Sequence, residues 1–260
     1  MEIFRQGKIR PAEKIIGGLF MGLGLMAWIG CAGKIPDPGQ RLSRAWQLAG
    51  SHAHVREKEF LTGKFKIFAF QSPKEGSSNR KIHIYIEGDG LAWITSSRPS
   101  DNPTPVTPVG LKLFLEDPAP WKIYLARPCQ YLTSGACRQK YWTSHRFSKE
   151  IINGYHGVLD MIKTEYAPEE LTLFGYSGGG AVAALLAAQR HDVSGLVTIA
   201  ANLDTEFWTQ LHGLTPLTGS LNPADFTQGL GQVHMYHFMG GKDRIIPPSV
   251  FFSFQNRFSK

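Results

Sequence analysis

The chain contains only three cysteines in 260 residues, and none of them stands in a C-x-x-C pair. No pair of histidines at metal-binding spacing lies near them either, which excludes a zinc site of the usual kinds. The sequence also has no internal repeat and no long low-complexity tract. We therefore expect an ordinary globular domain that needs neither a metal nor an organic cofactor.

Basic residues are in modest excess and are not clustered. The net charge is +7, and the basic residues are spread along the chain without the aromatic interleaving typical of single-strand nucleic-acid binding. This distribution excludes nucleic acid as the expected partner. It is compatible with a position near an anionic membrane surface.

The first thirty residues have the pattern of an export signal. Four basic residues precede an uncharged apolar stretch over 15–30, and Cys31 follows in a context that resembles a bacterial lipobox. We predict a signal peptide over 1–30, lipidation of Cys31 and a tether over 31–60. Because Ala32 rather than Asp follows the cysteine, the resemblance implies a periplasm-facing position at the outer membrane of the cell envelope. The alternatives are an uncleaved anchor helix or a signal peptide followed by an ordinary cysteine.

Export also affects the interpretation of the other two cysteines, Cys129 and Cys137. In an oxidising compartment two nearby cysteines are expected to form a disulfide. The alternative is a pair of free thiols.

Residues 61–260 alternate between strand-like and helix-like segments. Strands are predicted over 64–70, 81–86, 121–126, 171–174, 196–200 and 233–239, and helices over 109–115, 147–166, 181–189 and from 247 onward. The polar–apolar alternation of 64–70 is typical of a half-exposed edge strand. The whole pattern predicts an α/β domain with a mostly parallel sheet, helices on both faces and a functional site at the carboxyl ends of the strands.

The most informative motif is Gly175-Tyr176-Ser177-Gly178-Gly179, which lies between a short apolar strand and an alanine-rich helix. G-x-S-x-G at a strand-to-helix junction is the pattern of a nucleophile elbow. A glycine-rich turn without chemistry remains the alternative. A phosphate-binding loop is disfavoured because no Lys-Ser/Thr pair follows the glycines.

With Gly88-Asp89-Gly90 and the segment 241–247 (GKDRIIP), this motif resembles those of the α/β-hydrolase superfamily over residue 64 to the C-terminus. The resemblance implies Ser177 as the nucleophile and Asp243 as the acid of a triad. It also implies an oxyanion hole formed by the backbone N–H of Gly178 and that of Asp89 or Gly90. Asp204 is the second candidate for the acid, although a helix N-cap explains it equally.

Two acidic residues depart from the family pattern. Glu87 stands where many family members have a histidine, and Asp89 adds a second carboxylate beside the expected oxyanion hole. Since negative charge there would oppose the reaction, we expect both side chains to be turned away or paired with Arg127 or Arg98.

The catalytic base is the second departure. The family order is serine, acid, histidine, but no histidine follows Asp243. The expectation is a C-terminally shortened form that lacks the last strand and the histidine segment, and the alternative is a protein that kept the fold and lost turnover. His145 and His212 are weak candidates for the base.

The resulting expectation is a lipid-anchored serine hydrolase acting on a small-molecule or lipid ester or thioester through an acyl-enzyme. The alternative is an inactive envelope lipoprotein that uses the same fold to bind a ligand or partner. Phe207, Trp208 and Phe226 lie in the segment 205–229 and either line a substrate pocket or belong to a packed surface loop.

Overall fold

The computed structural model describes residues 35–52, 54–72 and 81–258. The predicted signal peptide and Cys31 lie outside these residues. The described chain forms one seven-stranded sheet in the order β1-β2-β4-β3-β5-β6-β7. The strands are β1 (Arg56–Thr62), β2 (Phe65–Gln71), β3 (Lys81–Ile86), β4 (Lys122–Leu125), β5 (Glu170–Tyr176), β6 (Val193–Ile199) and β7 (His234–Phe238).

Five of the strands run parallel, as the sequence predicted. The pairs β4–β3, β3–β5, β5–β6 and β6–β7 are parallel, and β1–β2 and β2–β4 are antiparallel. The prediction that residues 64–70 form a half-exposed edge strand is wrong. β1 pairs along the whole length of β2, so β2 is an internal strand whose residues are almost all buried.

Helices pack on both faces of the sheet. They are α1 (Pro38–Gly50), α2 (Val109–Glu116), α3 (Lys149–Tyr166), α4 (Gly178–Ala187), α5 (Thr205–Leu211) and α6 (Pro248–Gln255), with 3₁₀ helices at Gln139–Trp142 and Pro223–Leu230. One core cluster contains the buried residues of α3 and α4, and a second contains those of α1 and α2. None of the helices in the described part of the chain is long and apolar enough to cross a membrane.

Strand β3 shows how the sequence supplies both core clusters. Ile82, Ile84 and Ile86 belong to the cluster of α3 and α4, whereas Tyr85 belongs to the cluster of α1 and α2. Successive side chains of a strand point to opposite faces, so a strand covered on both sides is apolar at consecutive positions. The Tyr85 ring stacks on Phe174 of the neighbouring β5 with ring centroids 4.5 Å apart.

The tether predicted for residues 31–60 is not what the described part of this segment forms. Asp37 and Gln40 make a reciprocal capping box, and Pro38 occupies the first turn, so α1 begins with strong start signals. The helix buries Ala45 and Ala49 against the sheet. Its Arg41 donates to the backbone oxygens of Asn102 and Thr104. The compact unit that holds the sheet therefore begins at Ile35 rather than at residue 61.

Three further features concern the sequence predictions. Cys129 and Cys137 form a disulfide, with their Cα atoms 5.7 Å apart. The segment 205–229 is largely helical, since it contains α5 and most of the 3₁₀ helix Pro223–Leu230. Strand β7 is the edge of the sheet in the described residues, and its Tyr236 and Phe238 side chains are 65% and 60% exposed.

The packing of α1 can be tested by placing the same charge on its two sides. Ala45 is fully buried, whereas Gln47 is exposed two residues later. We expect Ala45→Glu to lower the free energy of unfolding by about 3–5 kcal/mol, because an unpaired carboxylate must enter the core. Gln47→Glu should change it by no more than about 0.5 kcal/mol. Urea unfolding of both variants checks this, and equal stability would show that α1 is not packed on the sheet.

Candidate active site

A cavity of about 730 Å³ lies at the carboxyl ends of the parallel strands. Its lining residues come from the segments after β3, β4, β5, β6 and β7, including Asp89, Arg146, Ser177, Asn202 and Ile246. In open α/β sheets ligands bind at this edge, and a cavity of this size accommodates a small organic molecule. The cavity is therefore the candidate active site.

Ser177 lies in this cavity at the junction between β5 and α4. Its backbone has φ 51° and ψ −121°, a conformation that non-glycine residues rarely adopt. The strained turn is held by its Ser177 N–H, which donates to the Ile199 oxygen at 2.9 Å, and by its carbonyl, which accepts from Gly180 N at 3.0 Å. The Ser177 hydroxyl makes no hydrogen bond to a residue that the structure describes.

The turn is possible because glycines bring the start of α4 against the sheet. A Cβ on Gly179 would lie 2.2 Å from the Ile86 oxygen, and one on Gly175 would lie 2.4 Å from the Gly180 Cα. Any side chain at these positions would displace the helix from the strand ends. The motif thus supplies the close backbone approach that a nucleophile elbow requires.

Free backbone N–H groups belong to residues that line the same cavity. Gly88 N donates to Glu87 Oε1 and Leu91 N donates to the Pro103 oxygen. Between them, the N–H groups of Asp89 and Gly90 have no acceptor among the described residues. Gly178 N is also free because it belongs to the first turn of α4. These are the groups that the sequence assigned to an oxyanion hole.

The Asp89 carboxylate lies beside the elbow and is neutralised by two arginines. Its Oδ1 accepts from Arg127 Nη1 at 2.9 Å, and its Oδ2 accepts from Arg146 Nη1 at 2.7 Å. Burial disfavours the ionised carboxylate, but the charges and hydrogen bonds of Arg146 and Arg127 outweigh it and lower the pKa of Asp89. The expected pairing with Arg127 is confirmed. The suggested partner Arg98 is instead an exposed loop residue, and sequence analysis missed Arg146.

Glu87 is turned away from the elbow. Its carboxylate accepts hydrogen bonds from Gly88 N, Gly110 N, Leu111 N and Tyr124 Oη, so it caps the first turn of α2 from a neighbouring strand. Burial raises the pKa of Glu87, although these four donors act in the opposite direction. Its two oxygens are fully used in supporting the fold.

Comparison with known proteins supports the architecture. No family model and no curated protein matches the sequence. An esterase from Pyrococcus furiosus has a similar structure, with a TM-score of 0.56 and 12% identity over 81% of this chain and 80% of its own. A serine hydrolase homologue from Coxiella burnetii has a TM-score of 0.52 and 12% identity, with 79% and 83% coverage of the two chains. A putative hydrolase from Agrobacterium tumefaciens has a TM-score of 0.53 and 13% identity, with 78% and 79% coverage.

The chain has an α/β-hydrolase fold. At this low identity the likeness establishes the fold alone. The roles of individual residues in this α/β-hydrolase fold therefore rest on the geometry of its own site.

The two candidate acids differ in position. Asp243 follows β7, and its Oδ1 accepts from Ile245 N at 2.8 Å and from Ile246 N at 3.0 Å. It shapes the loop that brings Ile245 and Ile246 into the cavity but does not line the cavity itself. Its role in a triad stays a prediction. Asp204 is a buried N-cap of α5 that accepts from Phe207 N and Ser253 Oγ, which is the structural role that the sequence left open.

No histidine of the described residues lines the cavity. His145 Nδ1 lies 2.9 Å from Ser144 Oγ, and His212 Nε2 lies 3.0 Å from the Ile245 oxygen. His237 of β7 contacts Thr198 Oγ1 and the rings of Phe251 and Phe254, and burial lowers its pKa to about 4. The described residues therefore place the strained Ser177 and residues with free backbone N–H groups in the cavity lining, but no histidine beside that serine.

The rest of the lining is only partly predictable from sequence. Trp208 lines the cavity, and its Nε1 donates to the Ile245 oxygen at 2.7 Å. Phe207 and Phe226 do not line it, and Phe226 packs against the core cluster of α3 and α4, which is the packed-loop alternative. Asn202 was missed, although it lies in the loop that follows β6 and its buried Oδ1 has no partner in the described structure. The sequence signal that could have found Asn202 is its position after the carboxyl end of a predicted strand.

Substitution of Gly90 tests how closely the loop after β3 packs against the neighbouring backbone. Gly90 has φ 64°, and a Cβ there would lie 2.1 Å from the Pro103 oxygen. Gly213 has φ 60° and open space around it, which makes it a matched control for the backbone conformation. We expect Gly213→Ala to lower the free energy of unfolding by about 1–2 kcal/mol and Gly90→Ala by at least about 1 kcal/mol more. Chemical denaturation measures both, and equal losses would contradict the close contact.

Proposed function

We propose that this protein is a serine hydrolase in which Ser177 attacks the carbonyl carbon of an ester or thioester. The observation that carries the proposal is the strained backbone of Ser177, with φ 51°, at the strand-to-helix turn inside the cavity. Such strain persists only where the surrounding structure enforces it, and it concentrates at functional sites. Ser177 itself belongs to the lining of the cavity.

The proposed reaction uses the free backbone N–H groups as its electrostatic component. When the Ser177 oxygen bonds to the carbonyl carbon, negative charge moves to the former carbonyl oxygen. Gly178 N and the N–H of Asp89 or Gly90 would donate to that oxygen, and the positive end of the α4 dipole acts in the same direction. The leaving group then departs to give an acyl-serine, which water hydrolyses.

The serine proton needs an acceptor during acylation, and the proton of the attacking water needs one during deacylation, because a neutral hydroxyl is a weak nucleophile. The acceptor then gives the proton to the leaving group in the first half-reaction and to the serine oxygen in the second. The family resemblance assigns this role to a histidine oriented by Asp243. Within the described residues no histidine occupies the cavity. We therefore expect that a small base added from solution accelerates the acylation of Ser177.

The test is labelling of the 260-residue chain with a fluorophosphonate probe, with and without added imidazole. We expect weak labelling alone and stronger labelling with imidazole, because the cavity of about 730 Å³ leaves room for a small base beside the hydroxyl. Ser177→Ala should remove the signal. Ser96→Ala should retain it, since Ser96 lines the same cavity but has no elbow geometry.

Peptide mapping of the labelled protein distinguishes the outcomes. A label that persists in Ser177→Ala would refute the assignment of the nucleophile. Absence of labelling at every imidazole concentration would favour the second candidate function, a non-catalytic protein that binds a ligand or partner in this cavity. The lack of a histidine among the described cavity residues is the observation that favours that candidate.

We further propose that the protein is an envelope lipoprotein, anchored to the membrane through a lipidated Cys31 and facing the periplasm. The support is the sequence pattern of residues 1–32. A small-molecule or lipid ester is then the expected substrate, and nucleic acid is not an expected partner.

The lipidation proposal predicts a specific labelling result in a bacterial host. Cells grown with a palmitate analogue should incorporate it into the wild-type protein, and Cys31→Ser should abolish incorporation. Cys129→Ser is the matched control, because it removes a different cysteine and should leave incorporation unchanged. Mass analysis that finds cleavage away from Cys31 in the wild type would refute the proposal.

A further inference from the structure

We infer that the cavity recognises an organic anion through Arg146, so that its ligand carries a carboxylate or phosphate group attached to an apolar body. The inference that this ligand is a substrate rests on the proposed function. The inference that it binds does not, because binding needs no turnover.

The first observation is an imbalance of charge around Asp89. One carboxylate serves two guanidinium groups, those of Arg127 and Arg146. All three side chains are largely withdrawn from solvent, with 18%, 5% and 9% of their surfaces exposed. One positive charge is thus left in excess in a partly dehydrated site, where an additional anion is stabilised.

The second observation is that the guanidinium of Arg146, rather than that of Arg127, has hydrogen-bond donors left for a ligand. Arg127 is used internally, because it donates to Asp89 and to the Arg146 oxygen and lies over the Phe147 ring at 5.3 Å. Arg146 lines the cavity. Its Nε donates to the Thr143 oxygen and its Nη1 to Asp89, while its Nη2 has no acceptor among the described residues. The unused donors of this guanidinium are therefore available to a ligand.

The other charged groups of the cavity do not cancel this effect. Glu87 is the second carboxylate in the lining, but burial raises its pKa and so favours its neutral form. Its oxygens also accept hydrogen bonds from Gly88 N, Gly110 N, Leu111 N and Tyr124 Oη. The N-terminus of α4 adds free N–H groups and a positive dipole end at Ser177. An anionic group next to the elbow would meet donors from both sources.

The remaining wall is mostly apolar. Leu91, Val106, Val109, Leu214, Leu217 and Ile246 line the cavity. A ligand that fills it would place a hydrocarbon segment against these side chains and direct its charged end towards Arg146. This combination excludes fully neutral esters as the preferred ligands.

The binding test uses the Ser177→Ala protein, so that no ligand can be hydrolysed during the measurement. Calorimetry compares monoethyl adipate with neutral diethyl adipate, and monobutyl phosphate with butanol. We expect each anion to bind at least about tenfold more tightly than its neutral counterpart, as a charge-assisted hydrogen bond implies. The ratio between the two anions shows whether carboxylate or phosphate is preferred.

Variants with opposite expected effects identify the residue. Arg146→Gln should abolish the preference for anions, and Arg146→Lys should retain part of it, because the charge remains but the planar fork is lost. Asp89→Asn should increase anion affinity, since it removes the negative charge that offsets the two guanidiniums. Arg56→Gln makes the same change of net charge at an exposed position of β1 and should have no effect. Thermal unfolding establishes that each variant is folded.

Three results would overturn the inference. The first is equal affinity for charged and neutral ligands, and the second is a preference for anions that survives Arg146→Gln. The third is loss of the preference for anions in the control variant Arg56→Gln. Failure of the proposed function would be recognised separately. Labelling of Ser177 without an anion preference leaves the hydrolase and removes Arg146 as its specificity residue. An anion preference without labelling leaves the binding site and removes the chemistry.

Discussion

The geometry of the candidate site depends on the ion cluster of Asp89 with Arg127 and Arg146. These residues come from the loop after β3, the end of β4 and the segment before α3. The cluster ties three loops together beside Ser177, in a place where removal of one partner would leave a buried charge unpaired. It also allows a carboxylate to stand next to the free N–H groups of the loop after β3, because two cations offset its charge.

Close packing of the backbone at two glycines is the second constraint on the candidate site. The start of α4 lies so close to β3 and β5 that Gly175 and Gly179 leave no room for a Cβ. This close packing holds Ser177 in its strained conformation and places Gly178, the first residue of α4, in the lining of the cavity. Steric exclusion thus shapes the turn at Ser177, and electrostatics shapes the loops around it.

Sequence reasoning succeeded where the signal was local. The strand β3, the helix α2, the elbow at Ser177 and the pairing of Asp89 with Arg127 followed from apolar pattern, glycine spacing and charge. It failed where the outcome depended on distant partners. The pattern of residues 31–60 predicts a tether, although Asp37, Pro38 and Gln40 carry the start signals of α1, because the small apolar face of this helix gains stability only against β2 and α2. In the same way, β2 became internal because the unpredicted β1 pairs with it.

The sequence by itself determined the α/β class, the mostly parallel sheet and the position of Ser177 at a strand-to-helix turn, since these depend on periodicity and on glycine at fixed offsets. Tertiary structure alone decided which charged groups meet. Glu87 caps α2 and Asp89 binds Arg146, although the two acids are two residues apart in the same loop. Nothing in their local sequence separates these roles. Their partners lie 23 and 57 residues away along the chain, and only folding of the sheet brings those partners to opposite sides of one strand end.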